Sequence, residues 1–480
     1  MFDFIVGNDA LSAIIAFGLV LIPAVLIHEM GHFIAAKMVG ITILEFGIGM
    51  PPRMIRLFRL GGTDYTLNWL PLGGFVRPLG EDIVRQVGEE ATNSDRQEAI
   101  SRGIRNVRSV GEVPPLARIF FMAGGAIANF IMAFVLLALV GLMGLPQITG
   151  ARVNILHIAE DSPLANAGLL PFDVVEMIDG EKFTDSTAFI QRIYNSDGQE
   201  ITLSVLRDTA DNVVEVTFTP EIPSEAAASE THPFIRGVAA GSPADRAGIR
   251  PGDLVVSFNG ENVANFEELQ ARTRAHLGEM VVLNLWRNGE IVEVSLVPRA
   301  NPPQGQGAMG IEIGTAAIDF TLGLTYQEGV PQSEILPLSL ADSLNFASSR
   351  ISEVFTTIAS IPGQILQGTA QGDQLRLTSP LGISQVGGVY LQESIQQDRP
   401  SIIVEFIALI SIALGFTNLL PIPALDGGRI VFVLVEIVRG RPIAPEREGL
   451  VHLVGLVILL SLMVVVLFND ISNPLTNLLR

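Results

Sequence analysis

The sequence predicts a polytopic α-helical membrane protein: four transmembrane helices, with two small α+β domains between the second and the third. Four apolar stretches lie at about residues 8–27, 119–145, 402–425 and 449–468, each near the roughly 20 residues that a bilayer-spanning helix needs. Basic residues gather in two of the connections between them. A pattern also recurs in the long third connection, as DSPLANAGLLPFDVVEMIDGEKF at 161–183 and GSPADRAGIRPGDLVVSFNGENV at 241–263.

The first stretch reads as a retained span. A cleavable signal peptide has a basic leader and a small-residue cleavage site, whereas here Asp3 and Asp9 precede the apolar run and HEMGH follows it. Lys37, Arg53, Arg56, Arg59, Arg77, Arg102, Arg105 and Arg108 lie between the first two stretches, and Arg439, Arg441 and Arg447 between the last two. Both connections therefore read as cytoplasmic, which puts both termini and the section from about 147 to 400 on the outer side. That section carries much of the formal charge of −20, which argues against nucleic acid as a partner. The chain has no cysteine and needs no oxidative folding, although this does not identify the compartment.

Aligning Ser162 with Ser242 gives a period of 80 residues, the size of a small domain. In each copy SPxxxAG reads as a short helix capped by serine and ended by Gly168 or Gly248, followed by a strand, a further helix and two more strands. The chain is thereby divided into a first membrane half (1–146), a first repeat domain (147–222), a second (223–300), a linker and amphipathic-helix region (301–400) and a second membrane half (401–480). Both repeats resemble PDZ domains of the bacterial type, which implies binding of peptide ends or extended segments by strand addition. NPPQGQGAMG reads as the linker, and residues 341–366 as an amphipathic helix that lies on the lipid bilayer or packs into the core.

HEMGH carries the chemistry. In a helix, His28 and His32 lie on one face and can offer imidazole nitrogens to one ion. A tetrahedral zinc then needs a third protein ligand and an open position for water. Glu29 sits where it could take a proton from that water, whose pKa zinc lowers toward about 7. Ionisable groups in a span are costly and usually functional.

No third histidine follows within two helical turns, so a carboxylate on another span is expected to complete the site. The third span carries NLLPIPALDGGR, Asn418 to Arg429, in which Pro421 and Pro423 interrupt the helix and Asp426 follows. Broken backbone at membrane depth is tolerated where protein or a water-filled cavity surrounds it. The first and third spans both run inward and meet HEMGH and Asp426 near their inner ends, so these residues can meet.

With these motifs the chain resembles the site-2 protease family of intramembrane zinc metalloproteases, in particular the bacterial regulator-of-sigma-E type with tandem PDZ domains. HEMGH and NLLPIPALDG match the family's two signatures, and the resemblance runs through essentially the whole chain. It implies His28, His32 and Asp426 as ligands of Zn2+, Glu29 as catalytic base and Asn418 as a substrate-positioning or oxyanion-side residue. Single-span membrane proteins would be the substrates, and the bacterial cytoplasmic (inner) membrane the location.

Residues 41–78 read as strands joined by turns. The resemblance implies a re-entrant β-hairpin-like loop there, whose Gly47-Ile48-Gly49 holds substrate as an added strand. Gly73 and Gly74 would allow a similarly close backbone approach, and the broken segment with Pro421 and Pro423 is expected to line the substrate site. The competing readings are an inactive membrane-anchored PDZ scaffold, disfavoured by the intact HExxH and LDG, and a transporter, disfavoured because no inverted repeat of the spans is visible.

Overall fold

The structure, a computed structural model, describes residues 3–80, 89–196, 198–208, 212–220, 229–287, 289–303, 305–367, 376–441, 443 and 445–475. They form two compact units, Met1–Leu145 with Leu336–Arg480, and Pro146–Ile335.

Among the described residues, the first unit contains four helices long and apolar enough to cross a membrane. Helix α1 spans Asp9–Val39, with a π-helical turn at Phe17–Leu21. Helix α2 is Pro115–Met143, opened by prolines that suit a first helical turn. Helices α3 (Leu340–Gln367) and α4 (Pro380–Gln396) precede α5, Ser401–Leu419. The third apolar stretch was expected to span 402–425, but α5 stops at Leu419, a turn follows, and a separate helix α6 begins at Asp426 and runs to Arg439. The prolines at 421 and 423 fall in this gap, as their lack of a backbone N–H requires. Helix α7, Pro445–Ser472, is the last.

One face of α3 packs Phe346, Ala347, Ile351, Val354 and Phe355 against a core shared with Ala133, Leu137 and Ile412. The amphipathic pattern at 341–366 thus serves a helix–helix contact. The N-terminus of α4 is capped by Ser379, whose N–H and hydroxyl both donate to Asp470 near the end of α7 (2.8 and 2.7 Å). Asp470 is fully buried, and this bonding satisfies its carboxylate.

Strands β1 (Ile43–Leu60) and β2 (Thr63–Pro78) form a hairpin that folds back on itself. Ile48 pairs with Gly74 on one side and Leu67 on the other, while Phe58 pairs with Tyr65. The order across this ribbon is therefore 74–78, 43–48, 63–67, 53–60. Its polar centre is Asp64, which accepts from Arg59 (2.6 Å) and lies 3.2 Å from Arg102. Burial works to raise the Asp64 carboxyl, but the Arg59 bond and the charges of Arg102, Arg59 and Arg56 outweigh it and hold the group below its usual range.

In the second unit the first repeat supplies β3 (Val153–Ile158), β4 (Val174–Ile178), β5 (Ile201–Leu206) and β6 (Val213–Phe218). The second supplies β7 (Glu230–Val238), β8 (Leu254–Phe258), β9 (Val281–Arg287) and β10 (Glu290–Leu296). The expected boundary at 222/223 lies outside the described residues. Strands β11 (Ile311–Asp319) and β12 (Leu324–Glu328) fall where a linker was expected. Among the described residues they complete a sheet of ten strands in the order β10-β9-β8-β7-β11-β12-β3-β4-β5-β6, with the short strand Glu261–Asn262 paired to β8 as an eleventh. The first repeat's core therefore includes Leu322, Leu324 and Tyr326, while the second's is drawn from Ile235 to Met309. The linker expectation rested on NPPQGQGAMG, and the alternation in IEIGTAAID and LTYQE after it reveals the strands.

Candidate metal centre

The centre is built on close contact between α1 and α2. A Cβ on Gly31 would lie 2.2 Å from the Gly124 carbonyl oxygen, so only glycine lets the helices approach this far. One residue on, a Cβ at Gly125 would stand 2.5 Å from His32 Nε2 and 2.6 Å from His28 Nε2. Gly125 is thus the floor under both imidazoles.

Asp426 reaches them from the first turn of α6, where the helix dipole favours a carboxylate. The turn before it needs the two glycines that follow. A Cβ at Gly427 would lie 2.3 Å from the carbonyls of Leu419 and Leu420, and one at Gly428 2.3 Å from that of Ile422. Ala424 sits at φ 78, a left-handed conformation that costs a residue with a Cβ roughly 1–2 kcal/mol. Its N–H donates to His452 Nδ1 on α7 (2.8 Å), and Gly455 closes against Pro423. The last span thereby clips the broken segment in place.

His28 Nε2 lies 3.2 Å from His32 Nε2 and 3.2 Å from Asp426 Oδ2, with His32 Nε2 at 3.3 Å from the same oxygen. Around a tetrahedral zinc with bonds of about 2.0–2.1 Å, ligand atoms stand roughly 3.3 Å apart, so all three edges fit. His28 and His32 are buried, at 6% and 9% exposure. Two imidazoles and one carboxylate, with no thiolate, are the donor set of a catalytic rather than a purely structural zinc site.

The outer atoms of the rings fix their tautomers. His32 Nδ1–H donates to the Phe121 carbonyl (2.9 Å), which leaves the Nε2 lone pair facing the cluster. His28 Nδ1 faces the side-chain amide of the fully buried Asn129 at 3.3 Å. If His28 Nε2 is a ligand, Nδ1 carries the proton and needs an acceptor. The amide rotamer that exchanges Oδ1 and Nδ2 supplies it, and also gives a partner to Asn129 Oδ1, which in the opposite rotamer is buried without one among the described residues. The sequence reasoning missed Asn129, Gly125 and His452. A polar residue within the apolar run GGAIANFIMAFVLL is the signal that could have found the first.

Glu29 adjoins the cluster on α1, and its carboxylate accepts from the Val76 backbone N–H on β2. Gly74 lies against it, since a Cβ there would be 2.9 Å from Glu29 Cγ, and Gly73 presses on Val25. Gly47 and Gly49 instead face inward on the ribbon, toward Asn68 and Leu70. Gly47 pairs with Phe75 and Thr66, and Ile48 with Gly74 and Leu67, so both are flanked by β2 on either side. Asn418 donates within its own helix to the Leu414 carbonyl (3.0 Å). Pro421 and Pro423 shape the turn that presents Asp426.

A His–His–Asp cluster with a glutamate beside it, its two histidines buried on a helix long and apolar enough to cross a membrane, defines a membrane metallopeptidase. The chain belongs to Peptidase family M50, the site-2 protease family, whose profile matches residues 16–462. It is 26% identical to the regulator of sigma-E protease RseP of Escherichia coli, over 97% of this chain and 98% of that one. It is 29% identical to the zinc metalloprotease RasP of Geobacillus kaustophilus, over 97% and 99%. The zinc metalloprotease RasP of Shouchella clausii is 27% identical, over 96% and 99%.

Proposed function

We propose that this metalloendopeptidase is zinc-dependent and cuts within the transmembrane segments of single-span membrane proteins, such as anti-sigma factors or signal-peptide remnants, after a first cleavage on the outer side. The observation that carries the reading is the spacing of 3.2–3.3 Å among His28 Nε2, His32 Nε2 and Asp426 Oδ2, which suits one tetrahedral ion. Zinc held there would supply a Lewis acid and a water of lowered pKa. Glu29 takes the proton from the attacking water and passes it to the leaving amide nitrogen. The Val76 N–H orients its carboxylate for that transfer.

A transmembrane helix hides its carbonyls in its own hydrogen bonds and must be unwound before attack. Backbone at Gly73-Gly74 is suited to meet the unwound segment, because it runs beside Glu29 and carries no side chain. Asn418, one turn before the break, is assigned to positioning substrate, and Pro421 and Pro423 to lining its path. We read the repeats as peptide-binding PDZ domains that limit access to substrates already shortened. The basic residues gathered in two of the connections support a reading with both termini and the repeats on the outer side of a bacterial cytoplasmic membrane.

The test is purified protein in detergent, assayed for zinc and for cleavage of a model single-span substrate, beside Glu29→Gln. Wild type should hold about one zinc and cut, and the variant should keep the metal and not cut. A wild type that holds zinc but leaves several diverse substrates intact refutes the activity. An Asp426→Ala variant with full zinc occupancy refutes the ligand assignment.

A further inference from the structure

The segment TSPLGISQVGGVY, 378–390, has no part in the metal centre. It supplies most of α4, which packs on the start of α1. A Cβ on Gly388 would lie 2.9 Å from the Ala13 backbone nitrogen, and one on Gly387 3.1 Å from Ala16 Cβ, so the glycines let these helices touch. Beside the contact, α1, α4 and Pro474 border a cavity of about 630 Å3, within the roughly 300–1,000 Å3 of ligand sites.

The lining is graded along α1. Asp9 and Ser12 come first, and Ala13, Ile14 and Phe17 follow. From α4, the Gln392 amide donates to the Asp9 carboxylate (3.1 Å) and to the Ser12 hydroxyl (2.8 Å), which closes a polar end. Leu381 and Val389 extend the apolar wall. Asp9 carries the only charge among the described residues of the lining. Gln385 also lines the cavity, two helical turns before Gln392, or roughly 10 Å. Its Oε1 is buried without a hydrogen-bond partner among the described residues. An amide left so in an apolar wall is costly unless a ligand bonds to it.

Length sets this gradient against the bilayer. The span Asp9–Val39 has 31 residues, roughly 46 Å of helix, against about 30 Å of hydrocarbon and about 40–45 Å with the head groups. The excess leaves its end turns at head-group depth, and Asp9 falls on the outer side by the orientation that the basic residues support. A phospholipid of the outer leaflet runs in the same sense, head group first and acyl chains after it. We infer that the cavity holds one phospholipid whose head group ends in a primary ammonium, as in phosphatidylethanolamine. The ammonium donates to the Asp9 carboxylate, the Gln385 amide meets the ester linkage, and an acyl chain runs over Ile14, Phe17 and Leu381.

Charge selects the head group. One of net negative charge, as in phosphatidylglycerol, meets the Asp9 carboxylate with no cation among the described lining residues to offset it. A trimethylated one, as in phosphatidylcholine, has no N–H to donate. The bound lipid joins α1 to a helix that Ser379 already ties to Asp470 of the last span. This site goes beyond the peptidase reading and rests only on the orientation given with it.

The test takes the full-length protein, stripped of lipid in detergent, and titrates it with palmitoyl-oleoyl phosphatidylethanolamine, phosphatidylcholine or phosphatidylglycerol, counting bound lipid by native mass spectrometry. Phosphatidylethanolamine should fill one saturable site per chain, about tenfold or more tighter than the other two, the size of a charged hydrogen bond. Asp9→Asn should abolish that preference. Gln385→Leu should weaken each lipid by about threefold to tenfold, and an ether-linked phosphatidylethanolamine should show the same loss on the wild type and no further loss on the variant. Val389→Trp, which fills the cavity, should remove the site, with melting temperature and zinc content as folding controls for every variant. Equal binding of the three lipids, a preference for the anionic one, or undiminished binding to Val389→Trp overturns the proposal. Cleavage by the wild type is measured separately, so a failure here is distinct from a failure of the peptidase reading.

Discussion

Gly125→Ala should empty the metal centre while leaving the helices folded. The added Cβ would lie 2.5 Å from His32 Nε2 and 2.6 Å from His28 Nε2, against an ordinary contact of about 3.5 Å. The rings must retreat by roughly 1 Å, whereas ligand distances tolerate only about 0.2 Å. Moving α2 instead would undo the contact of Gly31 with Gly124. Zinc affinity should therefore fall by more than the roughly 10–100-fold of an outer-shell change. The assay is zinc content after equilibration against a competing chelator, with circular dichroism as the folding control. Gly18→Ala, where a Cβ meets nothing within 4 Å, should match wild type. One zinc per chain at wild-type affinity in Gly125→Ala would refute the placement of the ion against this floor.

Asn129→Ala removes the acceptor for His28 Nδ1 and should weaken zinc binding roughly 10–100-fold, read by the same chelator competition. His452→Ala frees the Ala424 N–H, so zinc retention should fall by about threefold to tenfold, the worth of one hydrogen bond. Asp64 has a lowered folded pKa, so its contribution to stability is complete above its unfolded value of about 4 and is lost as pH falls below it. Thermal unfolding of wild type should weaken through that window, and Asp64→Asn should show a smaller change there.

Some of this architecture was legible because single residues carry strong chemistry. HEMGH placed two histidines on one helical face, and the prolines before Asp426 announced broken backbone, which the structure bears out by ending α5 at Leu419 and opening a new helix at Asp426. That the two sites meet followed from the direction of the spans. Less legible was whatever depends on what a residue touches. Gly125 matters through the space it leaves, and Asn129 and His452 through partners 101 and 28 residues away. At Gly47 and Gly49 of β1, a glycine that admits a substrate and one that admits a neighbouring strand look alike in sequence. Strands β11 and β12 were hidden behind a linker because their partners, β7 and β3, lie far upstream.

The pairing of β12 with β3 also sets an order of events during synthesis. The first repeat cannot close its sheet when its own sequence is finished, since the strand beside Ile158 begins at Leu324, roughly 170 residues later. At about 5–20 residues per second, β3 waits on the order of ten to thirty seconds for that neighbour. The second repeat can form its own core in that interval, and the strand β11 that completes its sheet then leads directly into β12. The later domain is thus the first that can be finished, and its completion delivers the strand that closes the earlier one.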